Sequence, residues 1–141
     1  VQEPNLITSG KRLPLSFEQM ATEHDGKDYL VERVNNKEDY KEMWNKFQMQ
    51  VDLIDVDMKN KDVLFVGLHE SSSCPYEIND IRSNYEKQEI LVDFTDINSN
   101  CTSDASPRTF IIGIDKSKSK NVSTVTLVHG DQSVPIPINN K

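Results

Sequence analysis

The chain has 141 residues, 35% of them apolar, and its 16 Lys and Arg against 23 Asp and Glu leave a net charge of −7. That length predicts one domain, large enough to fold without a metal or a set of disulfides. The acidity argues against affinity for nucleic-acid phosphates or anionic membrane surfaces, and no apolar run approaches the roughly 18 residues of a membrane-spanning helix.

A mean hydropathy of −0.61 predicts a core of one thin layer, diluted by loops and tails. Residues 1–10 are polar and unpatterned and read as a flexible tether, with 11–141 as a single β-rich domain. With Val1 in place of an initiator Met, the chain reads as a mature or trimmed product. Leu13, Leu15 and Phe17 alternate as a short strand would, and His24, Asp25, Gly26 and Lys27 read as a turn. Residues 29–34 form a better strand.

The clearest element is a helix from Lys37 to Met49. Asn35 or Asn36 caps its first turn, and Glu38 and Asp39 sit near the positive end of its dipole. Tyr40, Met43, Trp44 and Phe47 recur at helical spacing and make one apolar stripe, read as docking on a sheet. A ligand platform is the sharper alternative. Asp52, Asp55 and Asp57 then fall close together. They lack the turn Gly and terminal Glu of a calcium loop and read as a solvated acidic face.

Strands follow in series. Residues 62–68 are a continuous apolar run, fit for a central strand covered on both faces. Ile90, Val92 and Phe94 face one way along 89–94, as do Phe110, Ile112 and Ile114 along 108–114. Residues 122–128 are half-buried in pattern, and 133–138 suit only an edge because of Pro135 and Pro137. Lys116, Lys118 and Lys120 alternate with Ser as a solvated loop or hairpin. The sum is an α+β fold: an antiparallel β-sandwich or sheet with one main helix packed on it.

Cys74 and Cys101 are the only cysteines, and neither lies in a C-x-x-C or zinc-ligand spacing. Two buried thiols, one reactive thiol and one bridge compete. The bridge is favoured, because the turn around 81–87 and the strand 89–94 reverse the chain between two polar loops. A bridge places the protein outside the cytosol.

The order of these residues carries a resemblance. A helix bearing Trp44 precedes the run 62–68; Tyr76 and Ile78 follow in a turn; Ser106 and Pro107 stand ahead of a strand. This resembles the PrcB C-terminal domain family, whose relatives include bacterial lipoproteins and secreted proteins, over about residues 28–116. The family's Thr-Gly-Gly before the Tyr is here Ser73, Cys74 and Pro75, the family is not defined by a cysteine pair, and residues 121–141 extend past the match. The resemblance implies an extracytoplasmic accessory or binding domain, secreted or lipid-anchored to the cell envelope and associated with an envelope protease. Residues 1–10 would then follow a lipidated Cys. Asn100 and Asn121 open formal glycosylation sequons, discounted because the Lys-, Asn- and Ile-rich composition reads as bacterial.

The residues themselves offer little chemistry. A nucleophile among Ser71, Ser72 and Ser73 would need a base and an orienting acid, and only His69 is near in sequence. His69 and Glu70 are two residues of a metal motif that needs at least a third ligand. No catalytic residue, metal ligand or cofactor is assigned, and the chain is read as a non-enzyme. Arg108 is expected to pair with Asp104 or Glu77 and pin the two loops. The candidate binding loop is Ser72, Ser73, Pro75, Tyr76, Asp104 and Arg108, held on a sheet scaffold by Cys74 and Cys101. Its expected partner is an unidentified protein, a protease by the resemblance; no nucleic acid is expected, and a membrane only through an N-terminal lipid anchor. The alternative is a small bridged protease inhibitor presenting Ser73 to Tyr76. An enzyme and a purely structural envelope protein are the further rivals.

Overall fold

A strand that is apolar on both faces needs a layer on each side, and the run 62–68 has one on each. The computed structural model describes residues 5–15, 17–19, 29–84, 86–95, 100–129 and 131–140. Its elements in chain order are β1 (Asn5–Gly10), β2 (Leu30–Val34), α1 (Lys37–Lys46), β3 (Lys61–Glu70), β4 (Ile78–Asn84), β5 (Glu89–Phe94), β6 (Ser106–Asp115), α2 (Lys116–Ser119), β7 (Thr124–His129), β8 (Gln132–Pro137) and β9 (Asn139–Asn140). One sheet has the order β1-β6-β3-β2-β9 and the other β4-β5-β7-β8. The protein is thus predominantly β, in two sheets.

The pairing is not antiparallel throughout. β2 and β9 run parallel, as do β5 and β7. The chain leaves β5 for β6 in the other sheet and returns to β7, and two crossings restore the strand direction.

Alternation along β3 and β6 divides the interior in two, so the expected single thin layer is corrected. Val63, Phe65 and Ile111 join α1 and Leu13 and Phe17 in one cluster. Leu64, Val66, Leu68, Phe110, Ile112 and Ile114 join Ile90, Val92, Phe94, Val125 and Leu127 in the other, between the sheets. The faces expected for 89–94 and 108–114 are those observed. Burying each large apolar side chain contributes about 1.5–3 kcal/mol. Averaged hydropathy hides this because the polar residues are gathered in exposed loops.

Helix α1 is capped by Asn36, whose Oδ1 accepts from Asp39 N at 2.8 Å. It stops at Lys46, short of the expected Met49, because Gln48 takes a φ of 56° and turns the chain away. Its stripe packs on the sheet. Trp44 Nε1 donates to Val51 O at 3.2 Å and Tyr40 Oη to Ile54 O at 2.6 Å, so the two polar ring atoms fasten the returning segment.

Four further expectations are corrected. Residues 5–10 are strand β1, paired with β6, and not a tether; its uncharged, partly β-branched sequence supplies backbone partners, and Ile7 packs toward α1. Leu13, Leu15 and Phe17 form no strand: Leu13 and Phe17 are buried over Gly67, Leu15 is 95% exposed, and Phe17 N closes a turn on Pro14 O. The turn placed around 81–87 narrows, since β4 runs to Asn84 and only then turns. The Lys-Ser segment is the one-turn helix α2 and not a loop or hairpin, although Lys118 and Lys120 are exposed as expected. Lys116 Nζ meets Asp62 at 2.7 Å, and Arg33 Nη1 donates to Ser119 O and Val122 O at 2.7 Å each. The turn expected at His24 to Lys27 lies outside the described residues. Strand β8, carrying Pro135 and Pro137, is a sheet edge, as expected. Among the described residues, no helix is long and apolar enough to cross a membrane.

Candidate functional site

In the antiparallel pair β3 and β6, Glu70 stands opposite Ser106. The chain therefore leaves β3 and enters β6 at the same end of the sheet. Cys74 and Cys101 are bridged there, with their Cα atoms 5.6 Å apart. Cys74 N donates to Ser71 O at 3.1 Å, so residues 71–74 close a tight turn. Replacing both cysteines by Ser is expected to lower stability by about 2–4 kcal/mol. Urea unfolding of the double variant checks this; an unchanged midpoint would mean that the bridge constrains nothing.

Side chains complete the tip. Thr102 Oγ1 lies 2.9 Å from Ser71 Oγ, and Thr102 N donates to Ser73 Oγ at 2.9 Å. Asp104 accepts from Ser72 N at 3.2 Å and from the Thr102 hydroxyl. Donors from Ser72 and Thr102 stabilise the ionised carboxyl and bring Asp104 down to about 2. The tip thus presents hydroxyls and a fixed negative charge.

The six expected binding residues fall into two groups. Ser72, Ser73, Pro75 and Asp104 are exposed at the tip. Tyr76 and Arg108 are only partly exposed and belong to the layer beneath. The Tyr76 ring lies 4.9 Å from Phe94 and 4.8 Å from His129. Arg108 pairs with neither Asp104 nor Glu77 but with Glu70, at 3.5 Å. Alternation explains the correction, since Leu68 and Glu70 face the same way and Leu68 is opposite Arg108. Glu70 also accepts from Tyr76 N at 2.9 Å. Sequence reasoning missed Glu70 and Thr102. The signal for Glu70 was its place on the buried face of a strand; that for Thr102 was a hydroxyl two residues before Asp104.

His69 turns to the helix side of the sheet, where its ring stands edge-on to Phe17 at 5.2 Å. There it helps line an open cleft of about 810 Å³ with Lys11, Arg12, Gln48 and Pro107. The hydroxyls of Ser71, Ser72 and Ser73 bond within the tip instead. This arrangement supplies hydrogen bonds and charge but pairs none of these serines with His69. Among the described residues, no group of three or more His, Cys, Asp or Glu is placed to hold a metal.

His129 closes the end of the inter-sheet core, 4.9 Å from Phe94, and burial lowers its pKa from 6.5. The folded protein resists a proton that the unfolded chain accepts, so this contribution is complete above pH 6.5 and is lost as the pH falls below it. His129→Gln is expected to flatten the stability profile between pH 7 and 5 relative to the parent. Parallel profiles would show that His129 is fully solvated.

No family model, curated protein or solved structure matches the chain. The likeness to the PrcB C-terminal domain therefore rests on the quoted residues alone.

Proposed function

We propose that the chain is an extracytoplasmic binding module that presents its bridged tip to a protein partner, on an α+β sandwich with one main helix. The observation that carries this reading is the tip itself. Ser72, Ser73 and Asp104 are exposed, yet a disulfide and the Thr102 hydrogen bonds fix them in one arrangement. Preorganisation of exposed polar groups reduces the entropy lost on binding. The bridge supports an oxidising compartment, and hence secretion or attachment to the envelope. The fixed Asp104 carboxylate favours a partner that offers Arg or Lys opposite it. Association with a protease draws on the family resemblance alone.

The inhibitor reading gains nothing from the geometry. Strand-like insertion into a protease cleft needs an extended segment, whereas 71–74 is a closed turn and the Tyr76 ring packs on Phe94 and His129.

The test immobilises the oxidised protein and exposes it to envelope and secreted fractions of its source. Ser72→Arg with Asp104→Ala is the comparison, since both positions are exposed and outside the core. Enrichment of one protein by the parent and not by the variant is expected. Equal capture by both would move the binding surface off the tip and overturn the proposal.

A further inference from the structure

The cleft beside His69 is walled by a loop that the fold holds in place. The chain leaves β1 at Gly10, and three contacts fix the path that follows. Thr109 Oγ1 donates to Arg12 O at 2.5 Å, Gln48 Nε2 donates to Leu13 O at 2.5 Å, and Phe17 N closes the turn on Pro14 O at 3.1 Å. Thr109 is buried in β6, so the loop is tied to the sheet itself. Gln48 stands at a φ of 56°, a left-handed conformation that glycine adopts after a helix without steric cost. A glycine there would stop α1 equally well, but it has no side chain to hold Leu13.

The cleft that this loop walls is apolar on part of its lining and cationic on another. Leu13, Phe17 and Pro107 supply apolar surface, and Leu15 stands beside them 95% exposed. Lys11 and Arg12 line the same cleft and are exposed. Neither forms an ion pair among the described residues. Arg12 is steadied by a neutral group, the Gln50 amide, whose oxygen, in the orientation that satisfies both side chains, accepts from Nη2 at 2.9 Å. Glu18 is the one carboxylate among the described residues of the lining.

Charge selects the ligand. A chain of net charge −7 sets two cations against one carboxylate here, and neither cation is neutralised. The volume of about 810 Å³ falls within the range of ligand sites, roughly 300–1,000 Å³. We propose that this cleft binds an acidic peptide segment, with a carboxylate on Lys11 and Arg12 and an apolar side chain against Leu13, Leu15 and Pro107. Arg12 offers a carboxylate a two-pronged hydrogen bond, and Lys11 adds a mobile point charge. Because the loop is fixed in advance, little ordering cost falls on binding. His69 and Pro107 stand one position from Glu70 and Ser106, where the bridged tip begins. The two places nevertheless ask for opposite charges: Asp104 takes a cation, and the cleft takes a carboxylate. The cleft's role does not rest on the tip's.

Fluorescence anisotropy of a dye-labelled hexapeptide of alternating Glu and Leu, titrated with the full oxidised chain, tests the proposal. Saturable binding with a Kd below about 1 mM is expected. Lys11→Glu combined with Arg12→Glu is expected to weaken it by about tenfold or more. Leu15→Glu is expected to weaken it by about tenfold, through lost apolar contact and added repulsion. Hexapeptides of alternating Lys and Leu, or Glu and Ser, are expected to bind at least about tenfold more weakly than the Glu-Leu peptide. Asp104→Ala, at the tip, is expected to leave binding unchanged. No saturation by about 1 mM overturns the proposal. So does equal binding of either control peptide, binding that ignores the charge reversals, or binding that Asp104→Ala abolishes. Octanoate that displaces the peptide with equal affinity overturns it too, since a free acid would then suffice. Should the charge-reversed variant fail to fold by circular dichroism, Leu15→Glu decides alone, and an unchanged affinity overturns the proposal.

Discussion

Arg108→Ala is expected to cost about 3–5 kcal/mol of stability, because it strands a buried carboxylate. The Glu70 side chain is 2% exposed and that of Arg108 15%. Glu70 keeps the Tyr76 amide when the guanidinium is removed, but one neutral donor does not balance a buried charge. The Arg108 side chain also covers the Phe110 ring at 5.0 Å and reaches Ser9 Oγ at 3.4 Å, so truncation opens space at the end of the inter-sheet core. The pair itself is not the source of stability. Arg108 Nε is buried without a hydrogen-bond partner, which adds to the desolvation that the pair must offset. Replacing both members, as Glu70→Gln with Arg108→Met, is therefore expected to recover most of the loss. Urea unfolding of the two single variants and the double variant measures the coupling. A loss below about 1 kcal/mol for Arg108→Ala would place the pair in the class of solvated surface bridges.

That result bears on how the binding loop was read from sequence. Tyr76 and Arg108 were legible as neighbours of the bridge, but their exposure was not. In sequence they follow Pro75 and Pro107 in polar company. In space the Tyr76 ring packs inward on Phe94 and His129 just ahead of β4, Arg108 lies on the inward face of β6, and the partner of Arg108 comes from β3, 38 positions earlier in the chain. Cross-strand pairs of this kind depend on register, which sequence alone does not supply. The exposed half of the loop was legible because Ser72, Ser73 and Asp104 needed only local turn chemistry and the disulfide.

The same distinction separates the strands that were legible from those that were not. β3, β5 and β6 announce themselves by burial: runs buried on both faces in β3 and β6, alternation in β5. β1 and β4 are edges. They are held by backbone hydrogen bonds to one neighbour, so their side chains are free to be Asn, Ser, Thr, Asp or Arg. A polar edge strand looks like a tether or a turn in sequence, as residues 5–10 and 81–84 do. The Lys-Ser segment misled for a related reason. Its helix is fastened by Arg33 and Asp62, both distant in the chain and themselves without an apolar signal.

The second large effect tests the division of the interior. Phe65→Ala is expected to cost about 3–5 kcal/mol, the range for removing a buried aromatic ring from a packed site. Phe65 is 0% exposed and stands on the helix side of β3, 5.1 Å from Phe47 and 6.1 Å from Tyr40. Two positions along, a Cβ at Gly67 would stand 2.7 Å from Leu13 Cδ2 and 3.2 and 3.3 Å from the Phe17 and Phe47 rings, so any side chain there would displace Leu13. The helix layer is thus set close to the sheet at Gly67, and Phe65 fills the space beside it. Backbone movement cannot close the resulting cavity, because the other face of β3 is packed against the second sheet through Leu64 and Val66. Phe65→Leu is expected to lose less than half as much, since it keeps most of the volume. Trp44 is the only Trp in the chain and lies in the same cluster, so its fluorescence reports this layer directly. Its emission is expected to shift red in Phe65→Ala. A variant within about 1 kcal/mol of the parent, with unshifted emission, would mean that α1 is not seated on β3 through Phe65.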